Sequence, residues 1–221
     1  MIKSILFLII SYILGSFPSG YIVTKLSTRK NILEIGWRKT SGSNVFKNIG
    51  IWQGVLTGVL DVGKGFLAVK LVQNLGLKPE IQAMAGVAAV TGHNWSCFLK
   101  GAGGRGIGTF IGAFLALSPR ILAYSLIPFV LLGLIWNLSI GTILFLVLAI
   151  ILSASFNQWE TVGLFSIISL APIFIKRLSP IEEIKKSQEK SSLIRNRLLF
   201  DDDKPALELR IKKIFSRLTE S

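Results

Sequence analysis

The sequence predicts an all-α membrane protein, a polytopic bundle of about seven transmembrane helices, with five as the alternative. Three observations predict it. Of 221 residues, 51% are hydrophobic, more than a soluble domain of this length sustains. Apolar runs recur along the chain at close to the length of a membrane crossing. Finally, the 25 Lys and Arg, set against 12 Asp and Glu, cluster between those runs. A net charge of +13 on a soluble chain would suggest nucleic acid. Placed between apolar runs, the same charge follows the positive-inside rule, and no nucleic-acid partner is expected.

The first apolar run covers 5–23. It reads as a span and not as a cleaved secretory signal, because the segment GSFPSG at 15–20 is followed by more apolar sequence and similar runs recur downstream. Further runs cover 51–75, 81–99, 107–117, 121–136, 139–156 and 161–175. A crossing needs roughly 20 apolar residues and at least about 17. Run 107–117 is therefore either a short span or one half of a helix broken at Pro119 and continued in 121–136.

Charge sets the orientation. The first loop carries Lys25, Arg29, Lys30, Arg38, Lys39 and Lys47 against Glu34. The second loop has only Lys78 and Glu80, and the third has Lys100 and Arg105. The first loop, the third loop and the C-terminus are expected in the cytoplasm, with the N-terminus outside. An outside start and an inside finish need an odd number of spans. Residues 1–176 then form the membrane domain, and 177–221 a charged tail. In that tail Leu207, Ile211, Ile214, Phe215 and Leu218 fall at helical spacing, as in a helix lying on an anionic membrane surface.

A single cysteine, Cys97, excludes an internal disulfide framework, and a single histidine, His93, excludes a two-histidine metal motif. No metal or cofactor is expected. Polar groups inside apolar spans are costly, so each calls for a reason. Asp61 and Lys64 share a helix face at i, i+3 and pair, either as a neutral structural unit or with one of them facing a substrate. His93 reads either as a histidine satisfied by a neighbour or as a base or substrate-orienting group.

The densest signal is GHNWSCFLKGAGGRGIGT at 92–109. Gly101, Gly103, Gly104, Gly106 and Gly108 crowd a turn between two apolar runs. Glycines let backbone N–H groups converge on an anion, a following helix N-terminus adds positive potential, and Arg105 offers a fork of donors. The loop therefore fits a phosphate-bearing ligand; the alternative is close helix packing through small residues. The dinucleotide pattern G-x-G-x-x-G matches by letter but lacks its strand and its acidic partner. A Walker A loop is absent, since Gly-Ile-Gly follows Arg105. Phe98 stands where an H-x-x-x-x-D acyltransferase would need its acid.

Together with YILGSFPSGYIVTKL at 12–26 and LDVGKG at 60–65, this block resembles the bacterial acyl-phosphate:glycerol-3-phosphate acyltransferases, the PlsY family. The resemblance covers about residues 11–112 well and the remainder loosely. It implies an enzyme that moves an acyl group from acyl phosphate to the sn-1 hydroxyl of glycerol 3-phosphate, giving lysophosphatidic acid. It implies no metal and no coenzyme A, contact with membrane lipids, and a soluble partner enzyme that supplies acyl phosphate. It places catalytic roles on His93, Lys47, Ser43 and Asn44. It places phosphate or substrate binding on Gly101, Gly103, Gly104, Arg105, Gly106, Lys39, Asn196 and Arg197. The family's usual lysine in the glycine-rich loop falls on Arg105, its functional serine falls on Trp37, and the histidine ahead of Arg197-Leu198-Leu199 is missing. Two other readings stand beside this one. One is a divergent or inactive member acting on another phosphorylated acceptor, motivated by Trp37. The other is a small anion transporter, which would show broken helices at the midplane in two related halves.

Overall fold

The computed structural model describes residues 2–204, and among these it is helical throughout, without strands. Helix α1, Ile2–Ser16, runs into α2, Ser19–Thr28, across a break at Phe17 and Pro18. Proline has no N–H and crowds the carbonyl of the preceding turn, so a helix bends there. The break frees the Phe17 carbonyl, which matters for the site below. The first loop contains a short helix, α3, Gly42–Asn48. Then follow α4, Ile51–Asn74, and α5, Pro79–Asn94. After the glycine-rich turn come α6, Ile107–Leu117, α7, Pro119–Ile135, and α8, Leu138–Ser155. A π-helical turn, Trp159–Gly163, leads into α9, Leu164–Leu178. The chain then folds back in α10, Ile181–Lys186, and α11, Lys190–Phe200.

Each of the seven apolar runs is thus helical. By length and composition, three segments suffice to cross a membrane: Ile2–Thr28, Leu138–Ser155 and Trp159–Leu178. Helix α4 is long enough but carries Asp61, Lys64 and Lys70. Runs 107–117 and 121–136 do not form one broken helix. Ser118 is extended, at φ −157°, and the two helices part there, α6 packing chiefly on α4 and α7 on α8. Asn137 starts α8 by accepting from the Ser139 and Ile140 amides at 2.7 and 3.3 Å.

Small residues bring the site-bearing helices close. A side chain at Gly65 would collide with the Thr109 carbonyl, and one at Gly112 with the Val62 carbonyl, so α4 and α6 touch backbone to backbone. Behind that seam lies an aromatic core of Phe110, Phe114, Phe145 and Phe165, all fully buried. Phe110 stacks on Phe165 at 4.5 Å and meets Phe145 edge-on at 5.5 Å. Exposed apolar side chains such as Ile9, Leu67, Val130 and Ile151 lie on the outer helix faces, as lipid contact requires.

The composition shift near Lys176 marks charge but not a boundary of packing. Arg177, Asn196, Arg197 and Asp201 are all buried against the bundle. The amphipathic stretch expected around Leu207–Leu218 lies outside the described residues.

Candidate active site

Three donors, Lys64 one turn along α4 and Ser19 and His93 from two other helices, converge on Asp61 in the middle of α4. Ser19, in the first turn of α2, hydrogen-bonds to Asp61 Oδ1. Lys64 Nζ lies 3.0 Å from the same oxygen, and His93 Nδ1 3.4 Å from it. The second contact of Lys64 is the Phe17 carbonyl, at 2.9 Å, freed by the proline break. All four side chains are buried, so the ion pair is neutralised and its remaining valences are met locally. Asp61 and His93 face a cleft, whereas Lys64 points away to the α1–α2 break.

The glycine-rich turn wraps His93. The Gly104 amide donates to the His93 carbonyl at 3.0 Å, and any side chain at Gly104 would strike the imidazole Nε2. Gly103 lies against the carbonyls of His93 and Asn94, and its own carbonyl accepts from the Thr40 amide at 3.3 Å. The Gly101 amide donates to the Ser96 carbonyl at 2.9 Å. The amides of Gly101 and Gly104 are therefore committed within the chain. Gly103 and Gly104 permit close packing around His93, whereas a side chain at Gly101 would meet nothing and the glycine there takes φ +83°. The part of the loop that faces the cleft is Arg105, Gly106, Ile107 and Gly108, where Gly106 adopts φ +82° and opens α6 without a side-chain cap. The exposed first-turn amides of α6 carry the positive end of its dipole.

The first loop is fixed by Asn44. Its Nδ2 donates to the carbonyls of Lys39 and Ile35 at 2.8 and 3.1 Å, and its Oδ1 accepts from the Trp37 amide at 3.1 Å. Asn44 is fully buried and does not line the cleft. It shapes the loop instead of touching a ligand. Ser43 and Lys47, on α3, do face the cleft, and Ser43 Oγ lies 3.3 Å from Ser41 Oγ.

A second, smaller hollow of about 110 Å³ adjoins the cleft and is walled by Arg38, Lys39, Arg105, Arg177 and Arg197. The chain's own acidic segment enters it. Arg105 Nη1 lies 2.5 Å from Asp201 Oδ2, and Arg105 Nη2 donates to the Asp201 carbonyl at 3.3 Å. Arg197 Nε lies 2.7 Å from Asp203 Oδ1, and Asn196 donates to the Asp203 carbonyl at 3.0 Å. Burial pushes the Asp201 carboxyl up, and Arg105 and Arg177 offset this only in part. Burial, reinforced by the charge of Arg105, pulls Lys39 down to about 8. Its Nζ donates to the Lys176 carbonyl at 3.2 Å. Arg105 Nε and Asn196 Oδ1 are buried without a hydrogen-bond partner among the described residues.

The main cleft has a volume of about 1190 Å³. Its polar lining includes Ser43, Lys47, Asp61, His93, Arg105, Arg177, Asp201 and Asp202. Its other walls are apolar, formed by Val55, Val59, Ile111, Phe129 and Leu138 among others. Such a space accommodates an anionic head and a hydrocarbon tail together. The sequence-expected residues His93, Lys47, Ser43, Arg105 and Gly106 line this cleft, Lys39 and Arg197 line the adjoining hollow, and Asn196 lines neither but holds the Asp203 carbonyl. Ser19, Arg177 and Asp201 were not foreseen. The only signal for Arg177 was a cation ending an apolar run.

A family model described as glycerol-3-phosphate acyltransferase matches residues 5–187. A glycerol-3-phosphate acyltransferase of Prochlorococcus marinus (strain MIT 9312) is 39% identical over 118 residues, which are 53% of this chain and 60% of that protein. The match thus spans less than two thirds of that relative. Glycerol-3-phosphate acyltransferase 1 of Dehalococcoides mccartyi is 35% identical over 142 residues, 61% of this chain and 68% of the relative. Among solved structures, the glycerol 3-phosphate form of PlsY, an integral membrane glycerol 3-phosphate acyltransferase, aligns with a TM-score of 0.70 at 25% identity, covering 83% of this chain and 92% of that one. Its lysophosphatidic acid form, at 24% identity, gives a TM-score of 0.68 and supports the fold.

Proposed function

This chain belongs to the glycerol-3-phosphate acyltransferase family, and we propose that it transfers the acyl group of an acyl phosphate to the sn-1 hydroxyl of glycerol 3-phosphate, giving lysophosphatidic acid. The observation that carries this reading is the cleft, which joins polar groups, among them Lys47, Arg105 and Arg177, to apolar walls in one continuous space.

In this reading the glycerol hydroxyl oxygen attacks the carbonyl carbon of the acyl phosphate. The ester C–O bond forms, the C–O bond to phosphate breaks, and phosphate leaves with the electron pair. The hydroxyl proton passes to an oxygen of that phosphate. The donor is already activated, so no side chain need act as nucleophile, and the protein's contribution is to align two anions and stabilise developing charge. Arg105 and the first amides of α6 hold one phosphate. Lys47, held beside Arg105 on the Trp37 ring, contributes to the same phosphate, and Ser43 and Arg177 face the other. His93, braced by Asp61, orients the attacking hydroxyl. Lys39 and Arg197 raise the positive potential behind Arg105, and Asn196 helps to hold the acidic turn through the Asp203 carbonyl. A phosphate bound to Arg105 must displace the Asp201 carboxylate that Arg105 now holds.

The same reading places the first loop, the glycine-rich turn and α11 at the cytoplasmic face of the plasma or inner membrane. A soluble enzyme would deliver acyl phosphate there, and the apolar walls would open toward lipid. The test is phosphate release from palmitoyl phosphate by the detergent-purified protein, with and without glycerol 3-phosphate. Release coupled to lysophosphatidic acid and dependent on both substrates is the expected result. A folded protein that forms no such product overturns the reading and moves the assignment to another phosphorylated acceptor or to a non-catalytic role.

A further inference from the structure

We infer that Trp37 is a positioning residue that sets Arg105 and Lys47 as a fixed pair of cations for a phosphate dianion. The inference rests on the proposed function only for the identity of the anion.

Two cations from separate elements meet on one indole. The Arg105 guanidinium lies 4.4 Å from the Trp37 ring centroid, and Lys47 Nζ lies 5.0 Å from it. Arg105 comes from the glycine-rich turn and Lys47 from α3. All three residues line the cleft. Like charges brought together repel, and long flexible side chains lose entropy when fixed. A ring quadrupole attracts both and offsets part of that cost, most strongly for tryptophan.

The ring is itself held. The Trp37 amide donates to Asn44 Oδ1, which also accepts from Asn48 Nδ2 at 2.9 Å. Gly36, immediately before it, takes φ +57°, and the amides of Asn44 and Asn48 fill the space where its side chain would stand. The loop therefore presents the indole from a rigid support. The resemblance had implied a serine here, a group that would bind phosphate directly. An indole cannot replace that hydroxyl, but it can hold two cationic donors ready, which lowers the ordering cost when the anion arrives.

The substitutions that separate this role from packing are Trp37→Leu and Trp37→Phe. Leucine keeps apolar bulk and lacks a π face; phenylalanine keeps a weaker one. Binding of glycerol 3-phosphate and of inorganic phosphate is measured by calorimetry on the purified full chain, alongside KM and kcat for acyl transfer. Trp37→Leu is expected to weaken glycerol 3-phosphate binding and raise its KM about tenfold, as loss of a partly desolvated cation–π contact of about 1.4 kcal/mol implies. kcat and the unfolding temperature should change little, and Trp37→Phe should recover most of the affinity. Equal anion affinity in the wild type and Trp37→Leu overturns the inference, as does a Phe variant no better than Leu. If the wild type binds glycerol 3-phosphate but makes no product, the transferase reading fails while the binding comparison still decides Trp37. If it binds neither anion, the inference also fails.

Discussion

Asp61 is a carboxylate that three donors require, Lys64 on its own helix and Ser19 and His93 on two others. Removing its charge leaves Lys64 buried with only the Phe17 carbonyl to receive it. Breaking one partner of a buried pair costs about 3–5 kcal/mol. Asp61→Asn should therefore lower the unfolding temperature strongly in thermal denaturation, and should unseat His93 as well. A variant as stable as the wild type would show that Lys64 reaches another acceptor. Lys39 makes a different prediction, on pH. Burial and then Arg105 pull it down to about 8 from the 10.5 of an exposed lysine. The ammonium is the form that attracts phosphate, so its contribution is complete below about pH 8 and fades as pH rises through that value. For folding the sign is opposite: between about 8 and 10.5 the unfolded chain binds more protons, and stability from this group rises with pH. KM for glycerol 3-phosphate should rise several-fold between about pH 7 and pH 9. In Lys39→Arg, whose guanidinium stays charged, that rise should flatten. A pH profile identical in the two proteins would remove Lys39 from the anion site.

At the scale of elements, the acidic turn after α11 carries the clearest consequence. Asp201 and Asp203 engage Arg105 and Arg197, which the resemblance had assigned to phosphate. A carboxylate and a phosphate compete for the same guanidinium, since both suit its bidentate fork. Asp201→Asn keeps the shape and removes the competing charge. Its expected signature is a KM for glycerol 3-phosphate lower by several-fold, together with a lower unfolding temperature from the unpaired Arg105. A higher KM would mean that the carboxylate orients Arg105 instead of competing for it. This turn also marks where sequence reading stops. The apolar runs were legible because hydropathy is a local property, and each became a helix. The glycine-rich turn was legible as a site because its residues are contiguous from Gly101 to Gly108. The Ser19–Asp61–His93 convergence was not, because these residues lie on three different helices and nothing in their spacing pairs them. Arg177 and Asp201 were hidden for another reason. A stretch rich in both charges reads as solvated, and only packing reveals that some of those charges are buried in pairs.

At the scale of the whole molecule, the arrangement stands or falls on one orientation. Among the described residues, three segments have the length and composition to cross a membrane, and the others are shorter or interrupted by charge. Helix lengths alone therefore leave the sidedness open, and the argument for it is electrostatic. The first loop, the glycine-rich turn and the returning α10–α11 segment carry the basic clusters, and the structure brings all three to one place, around Trp37, Arg105 and Arg177. The positive-inside rule acts on each cluster separately, so their meeting at one end is a consistency that a wrong topology would break. The protein carries its own reporter of this. Cys97, the single cysteine, is exposed and sits in the turn just before the glycine-rich loop. A membrane-impermeant maleimide should label it in inverted vesicles and fail to label it in intact cells, with Cys97→Ser as the blank. Labelling from outside would put the cationic end of the cleft on the far side from any cytoplasmic supply of glycerol 3-phosphate. The positive-inside assignment and the proposed reaction would then fail together, whereas the fold, the Asp61 cluster and the Trp37 contacts would be untouched.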